Sequence, residues 1–270
     1  MLHYSKLTII ISLFLVLPLL VFAVPQQKAA KKDTTDVKAK IDKMIKEGDE
    51  ICAKRENKEN AMKAIEKYKE ALELNPKYYE AIWRVSRAYY YYGFKLPEDD
   101  EDAREAIHKK GITWGKSAIK YGKNRPEGYY WTGINSIYLG EVVGIAKGIS
   151  MLGDIKDMMN MVIKIDPSYD AGGAYRWLGV IEYELPGLFG GDNDESIMYL
   201  RKALELGPEN VTNYVYLAQT LEDEDYYKEA KKLLDKALSM KIDPRWSEEH
   251  KKIMPLAKEL MEDVMDELED

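Results

Sequence analysis

The chain has 270 residues, 46% hydrophobic and 32% charged, with 47 acidic against 40 basic side chains and a net charge of −7. That balance describes a helix-rich globular chain and excludes a collagenous, disordered or multi-span membrane protein. The acidic charge excludes a nucleic-acid footprint, which needs a dense basic face, and the single cysteine, Cys52, excludes a disulfide framework or a cysteine zinc site.

The first predicted element is a targeting segment. Lys6 supplies a basic start, Leu7 to Phe22 is a nearly unbroken apolar run, and Val21-Phe22-Ala23 fits a small-residue cleavage site. The run is shorter than the ~20 residues a membrane-spanning helix needs, and Pro18 interrupts it. Residues 1–23 therefore read as a signal peptide cleaved near Ala23, giving a periplasmic or otherwise exported chain; the alternative is an uncleaved N-terminal membrane anchor. No lipobox precedes Cys52, so lipid attachment is not expected. Residues 24–36, rich in Lys, Ala, Gln and Thr, read as a flexible tether.

Residues 37–270 read as one helical repeat domain. Ala64, Tyr68, Ala71 and Pro76 set a spacing that Ser196, Leu200, Ala203 and Pro208 repeat. Ala230, Leu234 and Ala237 repeat it again, and Ile155, Met159, Val162 and Pro167 form a weaker copy. Small residues let two helices approach, a large one fills the space between them, and proline ends the helix. The partner helices follow each proline: Ile82, Val85, Ser86 and Tyr89; Trp131, Ile134, Asn135 and Tyr138; Leu178 and Gly179; Tyr214, Leu217, Ala218 and Leu221. The four tyrosines within Ala88 to Phe94 fall inside the same helical period, so this stretch is helix and not strand. This is the pattern of tetratricopeptide helix pairs. Pro76, Pro126, Pro167, Pro208 and Pro244 lie 50, 41, 41 and 36 residues apart. The ideal period is ~34, so the middle repeats need longer helices or longer loops; a spacing near 41 also suits HEAT-type pairs. The expected fold is all-α, a helix-pair solenoid with irregular middle repeats.

Two connections stand out. Lys95 to Asp102 is an acidic loop before a helix starting near Ala103, and Pro186 to Asp194 carries three glycines, with Asp192 and Glu195 spaced as a capping box. The chain ends in an amphipathic helix, Ser247 to Leu268, expected to cap the array.

Tyr130-Trp131 opens one helix, Asp166-Pro167-Ser168-Tyr169-Asp170-Ala171-Gly172-Gly173-Ala174-Tyr175-Arg176-Trp177-Leu178-Gly179 opens another, and Pro186-Gly187-Leu188-Phe189-Gly190-Gly191-Asp192 forms the following loop. Over about Tyr129 to Leu238 this order resembles the TatT component family, tetratricopeptide proteins associated with bacterial TRAP transporters. A related layout occurs in eukaryotic regulators of microtubule dynamics. The TatT resemblance implies an exported all-helical protein, in some members oligomeric, that partners a periplasmic substrate-binding protein and handles small hydrophobic ligands. The missing lipobox departs from that family's lipid anchoring.

No cofactor is expected. The only histidines beyond His3 are His108 and His250, on separate predicted helices, which argues against a histidine triad or multi-histidine metal site. Gly111 to Ser117 has the wrong glycine spacing for a phosphate loop and reads as helix packing. Asp192-Asn193-Asp194 lacks the ligand alternation of a calcium loop and reads as a helix cap. Gly140, Gly144 and Gly148 form a small-residue stripe suited to close helix crossing. Glu182 and Glu184 lie two apart on a helix and so point to different faces, which argues against a catalytic carboxylate pair.

In such an array the first helix of each pair lines the concave face. That register predicts binding residues Trp83, Arg87, Tyr90, Tyr91, Tyr129, Arg176, Tyr183 and Gln219, accompanied by Glu80, Thr132, Ser136, Glu184, Thr212 and Glu222. Aromatic faces with a few charges suit a protein partner's extended segment or a small amphipathic ligand. Arg87 and Arg176 are the expected carboxylate contacts. The competing expectation is that the tyrosines simply fill wide inter-helix spaces. Two functions follow: a non-enzymatic scaffold holding a protein partner on its concave face, or a small-ligand binding and delivery protein, either of them compatible with a homo-oligomer.

Overall fold

The computed structural model describes residues 26–269, with side chains from Thr35 onward; the expected signal segment and cleavage site lie outside the described residues. The helices are α1 (Gln26–Cys52), α2 (Lys58–Leu74), α3 (Tyr79–Gly93), α4 (Glu101–Tyr121), α5 (Pro126–Val142), α6 (Ile145–Ile165), α7 (Tyr169–Glu184), α8 (Asn193–Leu206), α9 (Val211–Asp223), α10 (Tyr227–Ser239) and α11 (Ser247–Glu269). Among the described residues there is no strand, and no helix is long and apolar enough to cross a membrane. Each helix packs on the next, giving five stacked pairs followed by α11.

The repeat residues do what their sizes dictate. In the second helix of four of the five pairs the large residue, Tyr68, Met159, Leu200 or Leu234, is fully buried, and in three of these it faces a glycine of the first helix; α4 carries Gly111 and Gly115 on its buried face instead. Tyr68 lies on Gly48, Met159 on Gly133 and Leu200 on Gly179; a Cβ at those glycines would come within 2.4, 2.6 and 2.6 Å of the facing side chain. Ala64, Ala71, Ala203, Ala230 and Ala237 are likewise fully buried. Removing each such large side chain from water stabilises the stack by ~1.5–3 kcal/mol.

The long middle repeats come from both sources. Helices α4 and α6 each run 21 residues against 17 for α2, and the acidic connection before α4 adds further length. Asp100 caps α4 and Asp192 caps α8, each side chain accepting from the backbone N–H three residues on. At the α5–α6 turn Gly144 takes φ +85°, and beyond it Gly148 lies so close to Gly140 that an added Cβ would stand 3.1 Å from the Gly140 carbonyl oxygen. The segment around Gly111 is the interior of α4, pressed against Asn135 and Thr132 of α5.

Two elements reach further than the sequence suggests. Helix α1 starts at Gln26, so the segment predicted as a tether from residue 24 to 36 is largely its first turns; no proline or glycine interrupts it there. Helix α11 also does more than cap. Its buried Ile253, Ala257, Leu260 and Val264 close the last pair. Its first turns, however, cross the concave face to the opposite end of the array. Glu249 pairs with Arg55 at 3.2 Å, Glu248 pairs with Lys95, and Lys252 lies 3.8 Å from Glu98. The solenoid is thereby closed on itself.

Candidate functional site

Helix α7 begins with an unusual backbone. Asp170, Ala171 and Gly172 all take left-handed conformations, with φ of 52°, 55° and 71°. A non-glycine residue there costs of order 1 kcal/mol or more, so the surroundings must hold it. They do. A Cβ on Gly172 would stand 2.8 Å from the Ala203 carbonyl oxygen, and one on Gly207 2.3 Å from that of Ala171, so only glycine lets these chains meet. Asn213 Nδ2 lies 3.1, 3.1 and 2.9 Å from the carbonyl oxygens of Ala171, Ala203 and Gly207.

The left-handed turn aims the Asp170 carboxylate into the centre of the concave face. Its Oδ2 accepts from Tyr130 Oη and, at 2.9 Å, from Arg176 Nη2. Its Oδ1 accepts from Trp246 Nε1 at 3.0 Å. Two adjoining spaces flank this hub. An inner chamber of about 600 Å³ is walled by Tyr90, Tyr91 and Phe94 of α3, Trp131, Ile134, Ile137 and Tyr138 of α5, and Trp177, Val180 and Ile181 of α7; Thr212, Tyr216 and Gln219 of α9 complete the wall. Its roof is Trp246, in the short turn just before α11, together with Glu249, Lys252, Ile253 and Leu256 on one face of α11. An outer vestibule of about 720 Å³ is lined by Asp49, Cys52, Arg55, Arg87 and Glu209 among others. Tyr91, Trp131, Asp170 and Trp246 border both, as the shared rim, or neck, between them.

The chamber wall is an aromatic lattice. Tyr90 lies 5.3 Å from Tyr138 and 5.6 Å from Trp131, ring centre to ring centre, and Tyr138 lies 5.9 Å from Trp177. Burial pushes the Tyr90 and Tyr138 hydroxyls well above their usual titration range, so they stay neutral. Burial also raises the Glu249 carboxyl, opposed by the Arg55 guanidinium beside it. The chamber therefore presents flat aromatic and apolar faces interrupted by the charged side chains Glu141, Arg176, Glu184, Glu249 and Lys252; small-molecule sites are mostly apolar with a few placed polar groups. Among the described residues no group of three His, Cys, Asp or Glu side chains is placed to hold a metal ion.

Of the predicted contacts, Tyr90, Tyr91, Arg176 and Gln219 border the chamber, and Arg87 with Tyr91 borders the vestibule. Trp83, Tyr129 and Tyr183 line neither. Trp83 is buried beneath Arg84 and Arg87, whose guanidinium carbons stand 4.2 and 4.8 Å from its ring centre, and it donates to Glu80. Tyr129 turns back to the Lys123 carbonyl, and Tyr183 sits among Glu184, Asp223 and Glu222. Thr132 faces α4 rather than the groove, because Gly111 and Gly115 draw α4 against that side of α5, and Ser136 is buried beside it; each hydroxyl donates to the carbonyl four residues back. Arg176 is also not a free carboxylate ligand. It is 4% exposed and spends its donors on Asp170, Asn213 and Tyr130. Glu182 is buried and paired with Lys156, while Glu184 borders the chamber, so the two carboxylates do separate.

Asp170, Arg55 and Trp246 escaped the sequence reading. The Asp-Ala-Gly-Gly run was the available signal for Asp170, since adjacent glycines mark unusual backbone. Nothing local marks Arg55 or Trp246, which reach the site only because α11 folds across.

The architecture defines a tetratricopeptide-type solenoid whose concave face is closed into a chamber by its own C-terminal helix. Residues 44–188, just over half the chain, match the model of the regulator of microtubule dynamics protein 1–3 family, and residues 211–241 match a tetratricopeptide repeat model. The chain belongs to the regulator of microtubule dynamics protein 1–3 family. That match spans most of the chamber wall and ends before the roof. Among solved structures, the chain is similar to TTC0263, a thermophilic TPR protein of Thermus thermophilus, at 16% identity over 83% of this chain and 99% of that one, with a TM-score of 0.59. It is also similar to pilF of Pseudomonas aeruginosa, at 13% identity over 83% of this chain and 90% of that one, with a TM-score of 0.53. Both likenesses concern the fold. No curated protein matches the chain.

Proposed function

We propose that the protein is a non-enzymatic binding module that encloses a small amphipathic molecule in the inner chamber. One observation carries this reading: α11 occupies the concave face where an open array would receive an extended partner, and the space left beneath it is an aromatic chamber of about 600 Å³. That volume falls within the ~300–1,000 Å³ of small-ligand sites. Three tryptophans, Trp131, Trp177 and Trp246, border the space, so occupancy changes the intrinsic fluorescence. Titration of a medium-chain amphiphile such as dodecanoate, below its micelle concentration, gives a saturable change at one molecule per chain. A linear, non-saturating response contradicts the reading.

Protein partners belong to the outer surface in this scheme. Leu188 and Phe189 protrude from the α7–α8 loop and Ile145 from the α5–α6 turn, a surface suited to contact with a delivering or receiving protein. We further propose that the protein works outside the cytoplasm, supported by the Lys6 to Ala23 segment. The resemblance over Tyr129 to Leu238 supports a periplasmic substrate-binding protein of a TRAP transporter as that partner. Crosslinking in cells followed by mass spectrometry of the captured species tests both points: recovery with cytosolic proteins alone contradicts them.

A further inference from the structure

We propose that the vestibule is a head-group site for an anionic oxygen group carried on an apolar tail, with Arg55 and Arg87 as the residues that hold it. The inference deepens the chamber reading and rests on it, because the tail would lie in the chamber and the head beyond the neck.

The observation behind it is an imbalance of donors. Arg55 is 6% exposed, and its guanidinium carbon sits 4.3 Å from the ring centre of Tyr91. Its Nη2 donates to the Arg245 carbonyl and to Glu249, but its buried Nε has no acceptor. Arg87 stands on the same tyrosine, 5.9 Å from the ring centre. It makes one hydrogen bond, Nη2 to Asp49 Oδ1 at 2.9 Å, and its buried Nε also lacks an acceptor. That Asp49 oxygen already accepts from Tyr68 Oη at 2.7 Å and Arg84 Nε at 3.1 Å, so it is a shared and partial partner. Buried N–H groups without acceptors are rare and costly, and charged ones more so. Two of the three such atoms among the described residues belong to arginines bordering this one cavity. The group that suits two under-paired guanidinium groups bordering one cavity is an oxyanion, which guanidinium forks match in shape as well as charge.

The neck suits the junction of such a molecule. Tyr91, Trp131 and Trp246 offer apolar faces, and the one charge there, Asp170, is already bonded to Arg176, Tyr130 and Trp246. An anionic head passing it meets a neutralised carboxylate instead of a bare one. Cys52 also borders the vestibule, but burial raises its thiol, and the other carboxylates there are already paired, Asp49 with Arg84 and Arg87 and Glu209 with Arg245 at 3.5 Å.

The test compares four ligands of equal tail length by calorimetry on the full described chain, each below its micelle concentration: dodecanoate, dodecyl phosphate, dodecanol and dodecylammonium. The wild type should bind at least one of the two anions roughly tenfold or more tightly than dodecanol, the effect of a charge-assisted hydrogen bond. Whichever anion binds better identifies the head as carboxylate or phosphate. Arg87→Gln, at a partly exposed side chain, should abolish the preference while leaving dodecanol binding unchanged. Arg55→Gln should do the same where circular dichroism shows it folded, and rising salt should weaken anion binding alone. Equal affinity for dodecanol and both anions, or an anion preference that survives Arg87→Gln, overturns the head-group site. Failure of all four ligands to bind, or wild-type binding in Val180→Trp, which fills the chamber, overturns the chamber reading itself.

Discussion

Trp246 and Asp170 are joined by a hydrogen bond of 3.0 Å from the indole N–H to the carboxylate, across 76 residues of chain. The bond ties the start of the C-terminal helix to a left-handed turn at the start of α7. It sets the roof of the chamber on its floor, at the neck between the two cavities. Replacing Trp246 with phenylalanine keeps most of the ring and removes the donor. We expect a loss of about 1 kcal/mol in urea unfolding and a faster release of bound dodecanoate in stopped-flow fluorescence. Unchanged release shows that the bond does not hold the roof.

Arg176 is the second member of that hub, buried against Asp170 at 2.9 Å. A concave-face arginine read from sequence alone looks like a ligand contact whose loss leaves the fold intact. The structure reverses this expectation. Arg176→Ala removes a fully buried guanidinium and leaves the part-buried Asp170 carboxylate, 20% exposed, with only Tyr130 and Trp246 as donors; it should cost ~1.5–3 kcal/mol. Arg87→Ala should cost distinctly less, since Arg87 is partly exposed and leaves Asp49 paired with Arg84. Thermal unfolding of the two variants side by side distinguishes them, and equal melting temperatures contradict the assignment.

Gly172 should not tolerate a side chain. Its φ of +71° disfavours an L residue, and a Cβ would meet Ala203 backbone atoms at 2.8 and 2.9 Å. Gly172→Ala should lose ~1–3 kcal/mol or more through combined strain and overpacking. Gly153→Ala, where nothing lies within 4 Å, should be neutral or slightly stabilising within α6. Chemical denaturation of both variants gives the comparison.

His108 makes stability depend on pH. On α4 it is fully buried against Gly93 of α3 and Asn135 of α5, and burial, aided by Arg104, lowers its pKa to about 4 from 6.5. The unfolded chain therefore takes up a proton near pH 6.5 that the folded chain refuses until about pH 4. Stability from this group is complete above pH 6.5 and falls as pH drops toward 4, by about 1.4 kcal/mol per unit within that window. The difference in unfolding free energy between wild type and His108→Gln should show this slope from about pH 6.5 to about pH 4.5. A pH-independent difference contradicts it.

The repeats were legible because their signal is local. A fixed order of small, large and small residues decides how closely two helices approach, and Tyr68, Leu200 and Leu234 are buried as that order requires. The closure was not legible, because α11 meets the array through single long-range pairs such as Arg55–Glu249, which leave no periodic trace. The site suffered from the same limit. Rotating from core positions by one turn found Tyr90, Tyr91 and Gln219 on the chamber wall, but placed Trp83 and Thr132 in the groove. In α3 the arginines fold over Trp83, and in α5 the glycines of α4 draw Thr132 into a helix contact, so the lining follows each neighbour's size and not the register alone.

The central claim is that the closed chamber holds one small molecule. Native mass spectrometry of the gently purified protein, beside Val180→Trp with its chamber filled, tests it most directly. The account predicts wild-type protein carrying a single adduct that organic extraction releases as an amphiphile, and a Val180→Trp protein that is folded and free of it. Bare polypeptide mass in the wild type after incubation with excess dodecanoate, or the same adduct on both proteins, would contradict it.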